Sequence, residues 1–386
     1  MNPRVAYFTD CYHEVNGVAL TSRQFEGFAQ RRGLPFLNVH AGPATKVRRR
    51  GSVISLELDP SVASVPLDAD LLFDLLFLRW LEPARRMLKA FRADLIHVTS
   101  PGNFGLLGAW LAEEHRLPLV ASWHTNVHEF GARRLENWLS FLPERLRRAI
   151  GAVAEGHTLN AAMSFYRRAK LVFAPNRDLI RLLRKGTGRP VFPMRRGVDT
   201  ELFNPNRRCR RDDDFVLGFV GRIRPEKNAR FLAAVERRLI EAGIRKYRFL
   251  IVGQGSERDW LQANLEQAEF PGVLKGDPLA RAYANMDLFV FPSRTDTFGN
   301  VIQEAMASGV PAVVTNDGGP RFLVKNGETG FVARDDEEFC EQVVKVAQDE
   351  ALRQRMRLAA REAMLSRSWD TVFEGVYRAY PRCLPA

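Results

Sequence analysis

Short β-rich runs alternate with amphipathic helical stretches along almost the whole chain, and this alternation restricts the fold more than any other feature. Strands are expected at Val5–Phe8, Phe36–Val39, Val53–Leu58, Leu95–Val98, Leu119–Ala121 and Leu171–Ala174. They resume at Phe215–Val220, Phe249–Val252, Leu288–Phe291 and Ala312–Val314. Strands separated by helices cannot pair as hairpins, so they build parallel sheets with crossover helices on their faces. The alternation pauses once, at Arg207–Asp214, whose sequence RRCRRDDD has no apolar periodicity. A chain of 386 residues exceeds what one core usually holds. Two α/β units, joined there or slightly earlier, are the expected architecture.

Composition removes several function classes. No run approaches the 18 apolar residues that cross a membrane; the longest apolar stretch, Leu71–Leu81, contains Asp74 and Arg79. Val5–Phe8 is too short an apolar core for a signal peptide, so a cytoplasmic chain is expected. Cys11, Cys209, Cys340 and Cys383 are spaced too widely for a metal motif. A net charge of +12 points to an anionic partner: nucleic acid, anionic lipid or a phosphorylated substrate. No basic groove with interleaved aromatics is visible, so nucleic acid is not expected.

Ligands of open parallel sheets lie beyond the carboxyl ends of the strands. After the strand ending at Phe291 comes SRTDTFGNVIQEAMASGVP, Ser293–Pro311, with Asp296 and Glu304 eight residues apart. Helical periodicity from about Phe298 puts Asp296 on the loop and Glu304 roughly one and a half turns into the helix. The free amides of Phe298, Gly299, Asn300 and Val301 between them suit an anion, and Gly299 adds no side chain to obstruct it. Phosphate between two hydroxyl-binding carboxylates suggests a sugar nucleotide. The same acidic pattern would also serve a helix whose charges merely suit its dipole.

The neighbouring loops bear on that choice. Arg222 and Lys227 follow Phe215–Val220 and supply the countercharge a diphosphate needs as its charge grows. Gly253-Gln254-Gly255 follows the next strand; lacking a third glycine it is weak as a phosphate motif, and is expected to turn tightly against the nucleobase. In the first unit, Gly17 opens a helix after Asn16 and either permits a tight turn or offers its amide to a ligand. Ser100-Pro101-Gly102-Asn103 reads as a turn. His124 follows Leu119–Ala121, and His128 lies four residues on, but no third zinc ligand or intervening glutamate of the right pattern is evident. Asp212-Asp213-Asp214, flanked by arginines, reads as a self-neutralising charge run rather than a metal site. No cofactor and no essential metal are expected. Arg133–Ile150 mixes leucines and a tryptophan with five arginines; it reads either as a helix pair packed on its domain with the arginines outward or, the expectation taken here, as a segment that docks on an anionic membrane surface.

These segments together resemble the retaining glycosyltransferases of family 4. The resemblance rests on Asn16-Gly17-Val18, Trp123-His124-Thr125-Asn126, Arg196-Gly197-Val198-Asp199 with Phe203, Gly221-Arg222 with Lys227-Asn228, and Asp296–Pro311. It implies the GT-B fold: two facing Rossmann-like domains, 1–195 on the acceptor side and 196–366 on the nucleotide-sugar side, around a central cleft. Residues 367–386 would form a helix returning to the first domain. It further implies that Arg222 and Lys227 clamp the diphosphate, Glu304 holds the ribose hydroxyls, Asp296 and His124 contact the donor sugar, and Gly17 closes over the phosphates. The first carboxylate is usually glutamate in this family; Asp296 is shorter by one methylene, which bears on the sugar transferred. The segment around His124 looks closest to enzymes that mannosylate or glucosylate lipids. The implied reaction moves a hexosyl group from GDP-mannose or a UDP-sugar to a lipid or lipid-linked glycan, with retention. The rival readings are a nucleotide-sugar epimerase of similar architecture and a non-catalytic sugar-nucleotide-binding protein.

Overall fold

Val5–Thr9 (β1), Phe36–Ala41 (β2), Leu95–Val98 (β7), Leu119–Ser122 (β8) and Leu171–Ala174 (β9) are almost wholly buried apolar runs, the composition of strands covered on both faces. The computed structural model describes residues 2–14, 16–68, 71–124 and 156–384. The chain divides into two units, Met1–Arg195 with Val372–Ala386, and Arg196–Thr371.

In the first unit these strands join Lys46–Arg50 (β3), Val53–Leu58 (β4) and Val191–Pro193 (β10) in an eight-stranded sheet of order β10-β9-β8-β7-β1-β2-β4-β3. Every neighbouring pair is parallel except β3 with β4. Periodicity gave no sign of β3, whose sequence KVRRR has a single apolar residue. It forms because Gly51, at φ 58°, lets the chain reverse in two residues between the paired Arg50 and Val53. Its exposed arginines then protect the sheet edge from further pairing. Ser64–Asp68 (β5) and Leu71–Asp74 (β6) make a separate hairpin.

The second unit is a six-stranded, all-parallel sheet. Its strands are Phe215–Val220 (β11), Tyr247–Val252 (β12), Ala268–Gly272 (β13), Leu288–Phe291 (β14), Ala312–Thr315 (β15) and Gly330–Ala333 (β16). Their order, β13-β12-β11-β14-β15-β16, reverses direction between β11 and β14. This is the 3-2-1-4-5-6 order of a Rossmann sheet, and the crevice at the reversal is where such sheets bind ligands. The charged run ahead of β11 is consumed structurally: Arg208 and Arg210 both clasp the buried Asp287, and Arg248 takes Asp212 at 3.2 Å and Asp214 at 2.9 Å.

The helix Trp369–Ala379 carries the chain back to the first unit. There Phe373 stacks on Phe25 with ring centroids 4.4 Å apart, and the Tyr380 hydroxyl meets the buried His97 Nδ1 at 2.7 Å. Burial pushes the His97 imidazole down to about 3, so this contact is between neutral partners. Among the described residues no helix is long and apolar enough to cross a membrane.

Candidate active site

The reversal between β11 and β14 brings two loops edge to edge. Gly221–Asn228 follows β11 and Pro292–Phe298 follows β14. They are stitched together by backbone carbonyls: Ser293 Oγ and Thr295 Oγ1 both donate to the Glu226 oxygen, at 3.3 and 3.2 Å, and Asn228 Nδ2 donates to Pro292 O at 3.4 Å. Asn228 adopts the left-handed conformation, φ 52°, that turns the first loop toward the second.

This stitching seats Lys227 against Asp296. The ammonium donates to Asp296 Oδ1 at 2.6 Å, with both side chains mostly buried, and also lies 5.9 Å over the Phe291 ring. Burial pushes the Asp296 carboxyl up, but Lys227, helped by Ser293 and Arg222, outweighs it and holds the group below its ordinary value. Asp296 is therefore a carboxylate. Its second oxygen, Oδ2, is buried with no hydrogen-bond partner among the described residues. A buried acceptor left in this state costs about 1–3 kcal/mol, which a ligand hydroxyl would recover. Arg222 stands on the same loop as Lys227, 3.6 Å from Glu226.

The Asn300–Ala307 helix begins at Gly299, whose φ of 105° no side-chain-bearing residue adopts comfortably. Amides of the first turn, Asn300 and Val301 among them, lack intrahelical partners. The Phe298 side chain is buried and anchors the loop from below. Glu304 lies on this helix with Oε2 accepting from the Tyr283 hydroxyl at 2.8 Å. Burial pushes the Glu304 carboxyl up to about 7, with the Tyr283 hydrogen bond acting the other way. Two carboxylates of one loop-helix segment thus sit in opposite electrostatic states: Asp296 is held ionised by a cation, while Glu304 is poised near neutrality.

Gly253 and Gly255 serve loop packing. A Cβ on Gly253 would lie 1.9 Å from the Gly221 carbonyl oxygen, and one on Gly255 would lie 2.1 Å from that of Ile223. The turn after β12 thereby presses directly on the Arg222 loop. In this unit two residues escaped the sequence reading. Tyr283, on the helix Gly276–Ala284, gave no signal because a buried tyrosine at helical spacing looks like core. Gly319 lies after β15; a Cβ there would fall 1.9 Å from Thr297 O and 2.5 Å from Phe298 N, so its backbone forms the floor of the Asp296 loop. The Gly318-Gly319-Pro320 sequence shortly after a strand was the available clue.

In the first unit Gly17 is the first residue of the helix Gly17–Arg31, behind the N-cap Asn16, whose side chain accepts from Val18 N and Ala19 N. His124 is buried two residues beyond β8, its Nε2 2.6 Å from Ser122 Oγ. Asp10, which sequence reasoning passed over, lies at this sheet's own reversal between β1 and β7. It accepts from Ser100 Oγ at 2.6 Å and caps the next helix through Phe104 N at 3.0 Å. His128 and Arg133–Ile150 lie outside the described residues.

One cluster among the described residues brings metal-ligating atoms within 4.8 Å of one another: His13, His40 and Glu57. Two of its three members, His40 and Glu57, already have partners outside the cluster. His40 spends both ring nitrogens on Ala41 O and Ser55 Oγ, at 2.8 and 2.9 Å, and Glu57 is paired with Lys46 at 3.0 Å.

The sequence description of Glycosyltransferase Family 4 fits residues 43–202, and that of Glycosyl transferases group 1 fits residues 214–349. A GDP-mannose-dependent alpha-mannosyltransferase of Mycolicibacterium smegmatis is 33% identical over 339 residues, 84% of this chain and 80% of the relative. The chain belongs to the family 4 glycosyltransferases. This glycosyltransferase is also 31% identical to the sulfoquinovosyl transferase SQD2 of Arabidopsis thaliana over 297 residues, 72% of this chain and 54% of that one. Its fold is shared with the solved sucrose-phosphate synthase of Thermosynechococcus elongatus, at TM-score 0.74 and 17% identity over 98% of both chains. The two Rossmann-like units are thus those of the GT-B fold, and the glycosyltransferase draws on a nucleotide-sugar donor.

Proposed function

We propose that this glycosyltransferase moves a mannosyl group from GDP-mannose, with retention of configuration, to a lipid or lipid-linked glycan at the cytoplasmic face of a membrane. The observation that carries the reading is the buried Lys227–Asp296 pair, whose second carboxylate oxygen has no hydrogen-bond partner among the described residues, set at the reversal of the nucleotide-type sheet within the influence of Arg222. The mannosyl choice draws on likeness to the mycobacterial mannosyltransferase. The lipid acceptor draws on the net charge of +12 and on Arg133–Ile150 as the proposed docking segment.

In this reading Arg222 and Lys227 hold the diphosphate, and the first-turn amides from Phe298 to Val301 meet its oxygens. Glu304 accepts from the ribose hydroxyls, Asp296 Oδ2 accepts from a sugar hydroxyl, and Gly253 keeps its loop tight against Arg222. The bond from the anomeric carbon to the diphosphate oxygen breaks through an oxocarbenium-like transition state, its electron pair leaving with the phosphate. The acceptor oxygen bonds the same face of that carbon, and its proton passes to the departing phosphate. Preorganised cations stabilise charge that grows only as the bond breaks, so they accelerate the step rather than merely binding the donor.

The test is incubation of the full chain with labelled GDP-mannose, UDP-glucose or UDP-galactose and a bacterial lipid extract. Products are read by thin-layer chromatography and the anomeric configuration by NMR. Mannosylated lipid with an α linkage is expected. Label released only as free sugar, sugar epimerised without an acceptor, or a β-linked product would each overturn a distinct part of the reading.

A further inference from the structure

The first unit holds a second opening, at the end of its sheet opposite His124. A cavity of about 800 Å³ lies beside the amino-terminal ends of β8 and β9, where the end of the helix Asn103–Glu114, the approach to β9 and the C-terminal tail converge. Four cations line it: Arg116 from the turn after that helix, Arg168 and Lys170 from the approach to β9, and Arg382 from the tail. Glu113 is the single carboxylate among its lining residues. Elsewhere on this chain arginines are commonly consumed by carboxylates, as Arg85 is by Glu82 and Glu114, or Arg294 by Asp317 and Asp336. Among the described residues, none of the four cations around this cavity has such a partner.

The positions of these cations are set by backbone structure. Arg116 N donates to Glu113 O and Lys170 N to Leu119 O, at 3.2 and 2.7 Å, and the Arg382 guanidinium lies 4.8 Å over the Phe192 ring. The carboxyl end of a helix attracts a nearby cation. That accounts for Arg116 but not for three more from two other segments. Like charges held around one opening repel each other and draw in an anion, and apolar Ala112 and Leu117 beneath them weaken the competition from water. Pockets of this volume accept ligands of nucleotide size.

We propose that this cavity is a binding site for a phosphate-bearing ligand whose charge is about that of a diphosphate, separate from the donor site. Four cations against Glu113 leave three positive charges, which a diphosphate group neutralises. The ligand is either a soluble diphosphate or the headgroup of an anionic phospholipid.

Equilibrium dialysis of the full chain with labelled inorganic pyrophosphate tests the first source. The expected stoichiometry is two: Arg222→Ala removes one equivalent, and Arg168→Glu with Lys170→Glu removes the other. Each reversed charge weakens that second site by about tenfold or more. Co-sedimentation with vesicles of phosphatidic acid and phosphatidylcholine tests the second source; the charge-reversed chain is expected to lose binding to the acidic vesicles while transferring sugar to a soluble acceptor at the normal rate. A second equivalent, or vesicle binding, lost in that variant supports the site and names its source. The inference is overturned if the variant matches the native chain in both assays. Failure of sugar transfer in the native chain would instead strike the donor reading and leave untouched the equivalent that Arg168→Glu with Lys170→Glu removes.

Discussion

Replacing Tyr283 by phenylalanine removes one oxygen from the protein and isolates its bond to Glu304. The ring keeps its packing on Phe203 and Phe289, so the fold should survive. What disappears is the 2.8 Å hydrogen bond to Glu304 Oε2. Burial and the Glu304 charge hold the Tyr283 hydroxyl well above its ordinary value, so it remains a donor throughout the range where Glu304 titrates. A hydrogen bond to a charged group contributes about 1.5–3 kcal/mol, and each pH unit of midpoint corresponds to roughly 1.4 kcal/mol. Glu304, with a midpoint of about 7 in the native chain, should therefore titrate about one to two pH units higher in Tyr283→Phe. Only the ionised carboxylate can accept from both ribose hydroxyls. Donor affinity should accordingly fall as pH drops through 7 in the native chain, and the acid limb should move upward in the variant. At pH 7 the ionised fraction drops from about one half to between about a tenth and a hundredth, so affinity weakens roughly 5- to 50-fold. Above pH 9.5 both chains are ionised and the difference should nearly vanish. Calorimetric titration with GDP from pH 5.5 to 9.5 reads this directly. An affinity flat across pH 7 in the native chain, or an acid limb that does not move in the variant, refutes the assignment of Glu304 as an ionised ribose ligand.

Three further outcomes follow from the same geometry. Arg222→Ala and Lys227→Ala should each lower kcat by about 10² to 10³. The second should lower Tm further than the first, because it strands the buried Asp296 charge at about 3–5 kcal/mol; equal melting points for the two variants would refute the pairing. Gly319→Ala should weaken donor binding at least tenfold with the circular dichroism spectrum unchanged, since its Cβ must displace the Thr297–Phe298 backbone from 1.9 Å and 2.5 Å. Transferase activity should persist in excess EDTA; its abolition would refute the expectation that no essential metal takes part, and would direct attention to the cluster of His13, His40 and Glu57.

What could be read from the sequence followed from how local each signal is. β11 and β14 were legible because buried parallel strands are continuous apolar runs, and those runs state their own boundaries. β3 and β13 were not: KVRRR and AEFPG carry few apolar residues, and they become strands only because a neighbour offers an edge to pair with. The same division runs through the site. Arg222, Lys227, Asp296 and Glu304 stood out as charges placed after strands, a pattern read along the chain. The consequence of their meeting did not: no spacing rule joins Lys227 to Asp296 across 69 residues, or Tyr283 to Glu304 across 21. These pairings change the chemistry. Lys227 does not wait for phosphate as a bare cation but is shared with Asp296, and an ammonium has three protons to donate. A donor that reaches Lys227 with its diphosphate and Asp296 Oδ2 with its sugar therefore completes one network. Phosphate and sugar recognition are then coupled through a single lysine, so a nucleotide lacking the sugar should satisfy only half of it.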